Sequence, residues 1–318
     1  MKNIYISQIK AGDKVNDLFL VEEKNLAFSQ KGSPYLSLRL KDKTGQLDGR
    51  VWDNASNLDK VFRKGDIIYI QSRAVSFKGV IQLSIIDVRT ATPDEMTWEA
   101  FLPTVKGDID AMYAELTAIA GQVVAPPLKS LLEAFWADEE IASLFRRAPA
   151  AKGFHHVNIG GLLGHTLSVT KLLTMVADHY PKSNRDLLIV GGILHDIGKI
   201  REFTYQGNID YSDEGRLIGH IVIGLEMLDE KIAAISDFPP QLAMELRHLI
   251  LSHHGMLEFG SPKRPKTVEA MIVHQIDDMD AKVNAFQEYI SSSEDSDSDW
   301  TPFHRLFERY IYKGSSVE

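Results

Sequence analysis

Histidine and aspartate are the residues of this chain whose types and spacing point most directly to chemistry. All 11 His of the 318 residues lie at or after position 155, and Cys is absent. The absence of Cys excludes disulfides, thiolate zinc sites and cysteine nucleophiles. Any metal must therefore be held by imidazole and carboxylate groups, a donor set that suits Mn, Fe, Ni, Co or Zn without choosing among them.

The pair His195-Asp196 lies inside DLLIVGGILHDIGKI (186–200), the most apolar segment of the chain. A carboxylate is costly to bury in such a segment unless it is paired or bound to a metal. Adjacent residues of a helix project about 100° apart, so the other ligands of a shared metal must come from other helices. Candidates lie on four other predicted helices: His165, His220, the pair His253 and His254, and the group Asp277, Asp278 and Asp280.

Helical periodicity dominates the part of the chain that carries these residues. The segment 186–200 is apolar nearly all round, which indicates a buried helix. Further helices are predicted around His165, over about 218–230, over 241–254 and over about 267–290. The aromatic end, WTPFHRLFERYIY (300–312), is predicted to pack back on the body. We therefore expect an all-α domain over 151–318, preceded by a helical connector over 93–150.

Period-two alternation marks the first 92 residues instead. Leu36, Leu38 and Leu40 alternate with polar residues, and IIYIQSR (67–73) and VIQLSII (80–86) are similar short runs separated by turn signals. Four or five such strands in about 90 residues predict a small antiparallel β-barrel. The fold class is thus a multidomain α and β protein, with a barrel domain over 1–92 followed by helices.

The charge of the chain is divided between these two parts. The formal net charge is −9, yet residues 1–90 carry 15 Lys and Arg against 10 Asp and Glu. A basic module joined to an acidic one is typical of a polyanion-binding domain, although a solubilising surface would have the same charge. The first 90 residues contain aromatic rings, which can stack on bases, and cations, which can contact phosphates. Candidates for nucleic-acid binding are Tyr35, Arg39, Arg50, Trp52, Phe77 and Lys78, with core packing as the alternative for each ring.

Targeting signals are not evident in the sequence. The first residues, MKNIYISQIKAGDKV, lack a continuous apolar core, and the longest apolar run, 187–194, is too short to span a bilayer. We expect a cytoplasmic protein. Nothing in the pattern specifies an oligomeric state, and a homo-oligomer is compatible with it.

Two groups of motifs resemble known families. LSLRLKDKTGQLDGRVWD (36–53) resembles the central hairpin of nucleic-acid-binding OB-folds, and HDIGK (195–199) between an earlier His and a later Asp resembles the HD-domain phosphohydrolase superfamily. The second resemblance implies one divalent metal held by His165, His195, Asp196 and Asp277, where Asp277 is preferred to Asp278 because Asp-x-x-Asp-Ala matches with Asp277 first. Binuclear members imply a second ion that would recruit His220, His253 and His254. The resemblance also implies catalytic roles for Asp196 and for Lys199, which would contact the substrate phosphate.

A narrower resemblance rests on AKGFHHVNIGGLLGHTLSV (151–169) together with LHDIGK (194–199). These blocks resemble the YhaM-type 3′→5′ exoribonucleases, which join an OB-fold to an HD domain in this order. The resemblance implies removal of nucleotides from the 3′ end of single-stranded RNA, or of DNA, with Mn²⁺ as the expected metal and one or two ions bound. His156 is either a neighbour of the site or a structural residue at the helix entry. Gly164 stands where that family leads us to expect an acidic residue.

Two other functions are compatible with the sequence. An HD-domain hydrolase of small or cyclic nucleotides would use the same ligands but would have no need of a strand-binding barrel. A single-strand-binding protein with a structural HD domain would need the barrel, but the complete ligand set and Lys199 argue against it.

Overall fold

The computed structural model describes residues 2–29, 31–95, 100–102, 105, 107–151, 158–204, 209–293 and 298–314, without the side chains of Pro93 and Phe259. The chain forms two compact units. One consists of residues 1–104 with 204–210, and the other of residues 105–203 with 211–318. No helix in these described ranges is both long and apolar enough to cross a membrane.

The first unit is a closed five-stranded barrel, as predicted. Its strands are β1 (Lys14–Phe28), β2 (Pro34–Asp42), β3 (Gly45–Val51), β4 (Ile67–Phe77) and β5 (Val80–Thr90), with a short helix α1 (Ala55–Leu58) between β3 and β4. The order around the barrel is β1-β2-β3-β5-β4, and β4 pairs back to β1. All pairs are antiparallel except β3 with β5, which run parallel and so depart from the purely antiparallel expectation. This is the topology of an OB-fold.

Alternation of side chains across the strands builds the barrel core. Leu36, Leu38 and Leu40 of β2 all point inward and are at most 1% exposed. The parallel pair β3–β5 closes tightly at Gly49, where a Cβ would come within 2.7 Å of Ile85 Cδ1. A larger residue at position 49 would therefore require the Ile85 side chain to move. The period-two pattern of the sequence thus corresponds to one buried and one exposed face.

The second unit is helical. Its helices are α2 (Ile109–Ala120), α3 (Pro126–Trp136), α4 (Glu139–Arg147), α5 (Gly161–His179), α6 (Arg185–Leu194), α7 (Lys199–Glu202), α8 (Asp213–Leu217), α9 (His220–Ala233), α10 (Pro240–Ser252) and α11 (Val268–Ser291). Two strands of two residues each, β6 (Phe203–Thr204) and β7 (Asp210–Tyr211), pair with each other. Both α2 and α4 pack on α5, so the stretch predicted as a connector contributes three helices to this unit.

One helix prediction was wrong in its extent. The segment 186–200 does not form a single helix, because α6 ends at Leu194 and α7 begins only at Lys199. The reason is the approach of Gly198 to the first turn of α9, where a Cβ at Gly198 would overlap the carbonyl oxygen of His220. The chain must turn to pass this close to another backbone. His195 and Asp196 therefore lie just beyond the end of a helix, and Lys199 does not share a helix with His195.

The aromatic end packs on the body in part. The rings of Phe286 and Phe307 are 4.6 Å apart, and those of Tyr289 and His304 are 4.3 Å apart, so the segment contacts α11 as predicted. Other rings of the same segment stay in solvent: Trp300 and Tyr312 are each 52% exposed.

Candidate metal centre

Three helices bring the first cluster of ligands together. His165 lies in the second turn of α5, His195 follows α6, and Asp277 lies in the middle of α11. The Nε2 atom of His165 is 3.1 Å from Asp277 Oδ1 and 3.3 Å from His195 Nε2. All ligand atoms of this cluster lie within 4.8 Å of one another. We call His165, His195 and Asp277 cluster A.

A second cluster lies beside the first. His220 is the first residue of α9, and His253 and His254 directly follow the end of α10. Their ring nitrogens also lie within 4.8 Å of one another. His253 is 1% exposed, whereas His220 and His254 are half-buried. We call His220, His253 and His254 cluster B.

Asp196 stands between the two clusters and divides its oxygens between them. Its Oδ2 lies 3.6 Å from His165 Nε2 and 3.4 Å from His195 Nε2, both in cluster A. Its Oδ1 lies 3.5 Å from His220 Nε2 and 3.4 Å from His253 Nε2, both in cluster B. A single carboxylate can therefore serve two ions at once.

Hydrogen bonds at Nδ1 orient four of the five imidazoles. His195 and His253 donate from Nδ1 to the carbonyl oxygens of Gly192 and Ile250, at 2.8 and 2.7 Å. His165 and His220 form hydrogen bonds between Nδ1 and carboxylate oxygens. Because a carbonyl only accepts, Nδ1 carries the proton in His195 and His253, and Nε2 is free to act as a ligand.

The buried polar atoms without partners test whether a metal fits. Among the described residues, Asp196 Oδ1, His220 Nε2 and His253 Nε2 are all buried and lack a hydrogen-bond partner. Unpaired buried polar atoms are rare in folded proteins because each is costly. All three face the same point between Asp196 and cluster B. A divalent cation would satisfy them together, so the donor set fits a metal.

The barrel carries a separate groove of about 1050 Å³. Trp52 follows β3 and is 53% exposed, and Tyr35 of β2 stacks on it with a centroid distance of 4.8 Å. Lys78 lies at the tip of the β4–β5 hairpin, where Lys78 and Gly79 both have positive φ, as a two-residue type I′ turn requires. The predicted residues that line this groove are Arg39, Arg50, Trp52, Phe77 and Lys78.

Comparison with known proteins identifies the family. The HD domain family matches residues 162–282. The chain is 36% identical over 276 residues to the 3′-5′ exoribonuclease YhaM of Listeria innocua, covering 86% of this chain and 87% of that protein. It is 32% identical over 284 residues to the 3′-5′ exoribonuclease YhaM of Bacillus subtilis, covering 89% of each. The chain belongs to the YhaM family.

One solved structure matches a smaller share of the chain. The second OB-fold domain of replication protein A from Methanococcus maripaludis is 22% identical, with a TM-score of 0.23, and the match covers 28% of this chain and 93% of that domain. The matches to the HD domain and to YhaM proteins confirm the resemblances to these two families that the sequence motifs indicated.

Ionisable groups in the metal centre of this YhaM-family chain shift one another's pKa values. Burial disfavours the charged form of His165, but hydrogen bonds to Asp277 and Asp280 outweigh burial and raise its pKa to about 9. Burial likewise opposes ionisation of both aspartates, yet Lys199 and His195 hold the pKa of Asp196 below its ordinary value, and His165 and His195 do the same for Asp277. The carboxylates are therefore ionised at neutral pH, as metal ligands must be.

Lys199 contacts the carboxylate that lies between the clusters. Its Nζ donates to Asp196 Oδ2 at 2.7 Å, from the first residue of α7 to the turn that precedes it. Burial would lower the pKa of Lys199, but Asp196 outweighs it and raises that pKa, so the ammonium stays charged. Both predicted catalytic residues thus lie together on the wall of a cavity of about 410 Å³. The ligands His165, His253, His254 and Asp277 line the same cavity.

The structure separates the alternatives among the aspartates. Asp277 lies in cluster A, whereas Asp278 forms an ion pair with Lys282 at 2.6 Å at the rim of the cavity. Asp280 was named among the candidates without a role, and its Oδ2 lies 2.9 Å from His165 Nδ1. The Asp-x-x-Asp spacing is the signal for this role, because residues three apart share a helix face.

Other predictions of the sequence have different outcomes. His156 lies outside the described residues. Gly164 faces Val105, whose Cγ2 would be 3.0 Å from a Cβ at that position, so the small residue fits this packing and a larger side chain would displace Val105. Glu202 was missed entirely, although its Oε1 lies 3.0 Å from His220 Nδ1. Only its position three residues after Lys199 hinted at a place near the site.

Proposed function

We propose that this chain is a cytoplasmic, metal-dependent 3′→5′ exoribonuclease that hydrolyses phosphodiester bonds of single-stranded RNA. The observation that carries the proposal is the placement of Asp196 between two clusters of ligands, in a chain that aligns with YhaM exoribonucleases over most of its length. Cluster A and Asp196 would hold one ion, and cluster B and Asp196 the second. Mn²⁺ is the metal we expect from the family resemblance, and the mixed imidazole and carboxylate donors are compatible with it without excluding Fe, Co, Ni or Zn.

The site residues support hydrolysis of a phosphodiester. A divalent cation, when bound, supplies Lewis acidity that polarises a phosphoryl oxygen and activates water at neutral pH. Asp196 fixes the spacing of the two clusters. Lys199 keeps its positive charge beside the cavity, where it can hold a phosphate oxygen and offset the charge that develops during displacement. The His rings that form hydrogen bonds through Nδ1 keep their Nε2 atoms in place.

The groove of the barrel supports a single strand as substrate. We propose a division of labour in which residues 1–92 hold the strand, 93–150 connect, and 151–318 cut. Stacked rings accept any base, since every base has a π-face, and cations beside them meet the phosphates. Trp52, Tyr35 and Phe77 would stack on bases, while Arg39, Arg50 and Lys78 would contact the backbone. Single-stranded DNA is the alternative substrate. A protein distinguishes RNA from DNA through contacts to the 2′-OH, and those contacts form only with a bound strand.

The test is a product ladder. We would incubate the protein with 5′-labelled single-stranded RNA and Mn²⁺, and resolve the products on a sequencing gel. A descending ladder that disappears with EDTA and with Asp196→Asn is the expected result. An intact RNA that is retarded on a native gel would make the protein a binding protein instead. Hydrolysis of mononucleotides or cyclic nucleotides without a ladder would favour a small-nucleotide hydrolase.

A further inference from the structure

Glu202 is a buried carboxylate at the end of α7, only 6% exposed. Its Oε1 accepts two hydrogen bonds from a single residue, since the backbone N–H and the ring Nδ1 of His220 both lie 3.0 Å away. His220 is the first residue of α9, so its N–H has no partner within the helix. One carboxylate oxygen therefore fixes both the backbone position and the ring orientation of His220.

The backbone of Glu202 is itself held in place. Its carbonyl oxygen accepts from Ser212 N at 2.9 Å and from Ser212 Oγ at 3.2 Å. Gly215 passes so close that a Cβ there would overlap the same carbonyl oxygen. Ser212 also caps α8 by accepting from Gly215 N. This packing fixes the backbone position from which the Glu202 side chain reaches His220.

The direction in which His220 points follows from this arrangement. With Nδ1 tied to Glu202, its Nε2 faces Asp196 Oδ1 at 3.5 Å and is one of the buried atoms that lack a partner among the described residues. His253, the fully buried ring of cluster B, is oriented by the neutral carbonyl of Ile250. Glu202 is therefore an outer carboxylate of cluster B, and it acts on His220.

Cluster A has an equivalent residue on its opposite side. Asp280 contacts His165 Nδ1 at 2.9 Å and also accepts from Ser168 Oγ. Each cluster thus has one histidine tied to an outer carboxylate, and the two carboxylates lie on different elements, α7 and α11. An outer carboxylate fixes the tautomer of the ligand and makes the ring a stronger donor to a cation. Loss of one carboxylate should leave the other cluster intact.

We propose that Glu202 is a positioning residue that governs binding of the ion in cluster B alone, through His220. This inference rests on the proposed function, because it assumes that the two clusters bind metal. Substitution of an outer-shell partner typically weakens metal binding by roughly 10- to 100-fold. The loss should fall on one of the two ions and leave the affinity of the other unchanged.

The experiment is a Mn²⁺ titration of the metal-free full-length protein, followed by calorimetry and by counting of bound Mn²⁺ after desalting. Glu202→Gln keeps an acceptor oxygen and the side-chain size but removes the charge, whereas Glu202→Ala removes both. Glu214→Gln, an exposed residue of α8, is the matched control for the same chemical change. Asp280→Asn is the reciprocal variant. Thermal unfolding in EDTA reports whether each variant keeps its fold.

We expect two ions in the wild type and in Glu214→Gln. For Glu202→Gln we expect one ion of unchanged affinity and one weakened by roughly 10- to 100-fold, with a larger loss in Glu202→Ala. Asp280→Asn should weaken the other ion. If Glu202→Gln binds both ions like wild type, Glu202 only caps α9 and the inference is wrong; equal weakening of both ions would also overturn it. A wild type that binds no Mn²⁺ would instead refute the proposed function itself.

Discussion

The barrel groove and the metal centre are built on opposite principles. In the groove, Trp52 is 53% exposed, and the side chain of Arg39 is 44% exposed beside Asp48. In the metal centre, His195 is fully buried, and several buried polar atoms of the described residues lack a hydrogen-bond partner. Exposed contacts are individually weak and nearly independent, whereas buried contacts depend on each other. Substitutions should therefore produce graded losses in the groove and steep losses in the metal centre.

The steepest loss should follow Asp196→Asn. This change removes the one charge that both clusters face, so each of the two proposed ions would lose a ligand. We expect the rate of RNA hydrolysis to fall by more than the roughly 10- to 100-fold typical of a residue that only contacts a metal ligand. RNA affinity should be unchanged, because the groove is untouched. The measurements are single-turnover kinetics and a binding isotherm on the same oligonucleotide.

Asp278→Asn is the matched control for that variant, since Asp278 faces the rim of the cavity and pairs with Lys282. It should keep most of the activity. If the two variants lose activity equally, the assignment of Asp196 as the shared ligand is wrong, and the acidic rim would be responsible for catalysis.

In the groove, Trp52→Ala should give the largest effect on binding. Stacking of a base on an aromatic ring contributes about 1–3 kcal/mol, so the RNA Kd should rise roughly 5- to 150-fold. The rate at saturating RNA should stay within a few-fold of wild type. Trp300→Ala is the matched control, because Trp300 is 52% exposed but belongs to the helical unit. Equal losses of affinity in both variants would mean that the groove is not the site of strand binding.

The difference between the two regions also explains what the sequence could predict. Strand alternation located the barrel, because the faces of β2 are decided by local pattern alone, as Leu36, Leu38 and Leu40 show. The order of His and Asp located the candidate ligands in the same way. Local pattern could not show that α6 ends at Leu194, because the break depends on the approach of Gly198 to α9, about 20 residues later in the chain.

Outer-shell roles were equally hidden from the sequence. Glu202 looks like an ordinary charged residue after an apolar segment, and only the fold brings His220 to it. Asp280 shares a helix face with Asp277, so its nearness to the site could be predicted, but its bond to His165 on α5 could not. The exposed rings of the C-terminal segment were also missed, since aromatic content alone does not tell which rings pack inward.

Within the metal centre, protons should compete with the ion at cluster A. The pKa of His165 in the metal-free protein is about 9, above the ordinary value of 6.5, so the ring is protonated at pH 7. A metal ligand must be neutral, so binding should release about one proton from His165 at pH 7, and the apparent affinity should weaken by up to about tenfold for each pH unit below 9. Calorimetry of Mn²⁺ binding in buffers of different ionisation enthalpy measures the release directly.

Asp280→Asn provides the control for the proton count. Removal of that carboxylate takes away one of the contacts that raise the pKa of His165, so fewer protons should be released at pH 7. If the heat of Mn²⁺ binding to the wild type does not depend on the buffer, His165 is already neutral at pH 7. Its carboxylate partners then raise its pKa less than the geometry indicates.

The smallest effect should come from a single cation of the groove. Lys78 lies at the tip of the β4–β5 turn, where its ammonium can reach one phosphate. Each phosphate contact to a single strand contributes about 0.7 to the slope of log K against log salt concentration, through release of counterions. Lys78→Ala should therefore lower that slope by about 0.7, whereas Lys60→Ala, exposed just after α1 and outside the groove lining, should leave it unchanged. Isotherms from low to moderate salt distinguish the two variants. An equal change in both slopes would mean that the basic charge of the barrel acts as a diffuse field and that the groove makes no localised phosphate contact at Lys78.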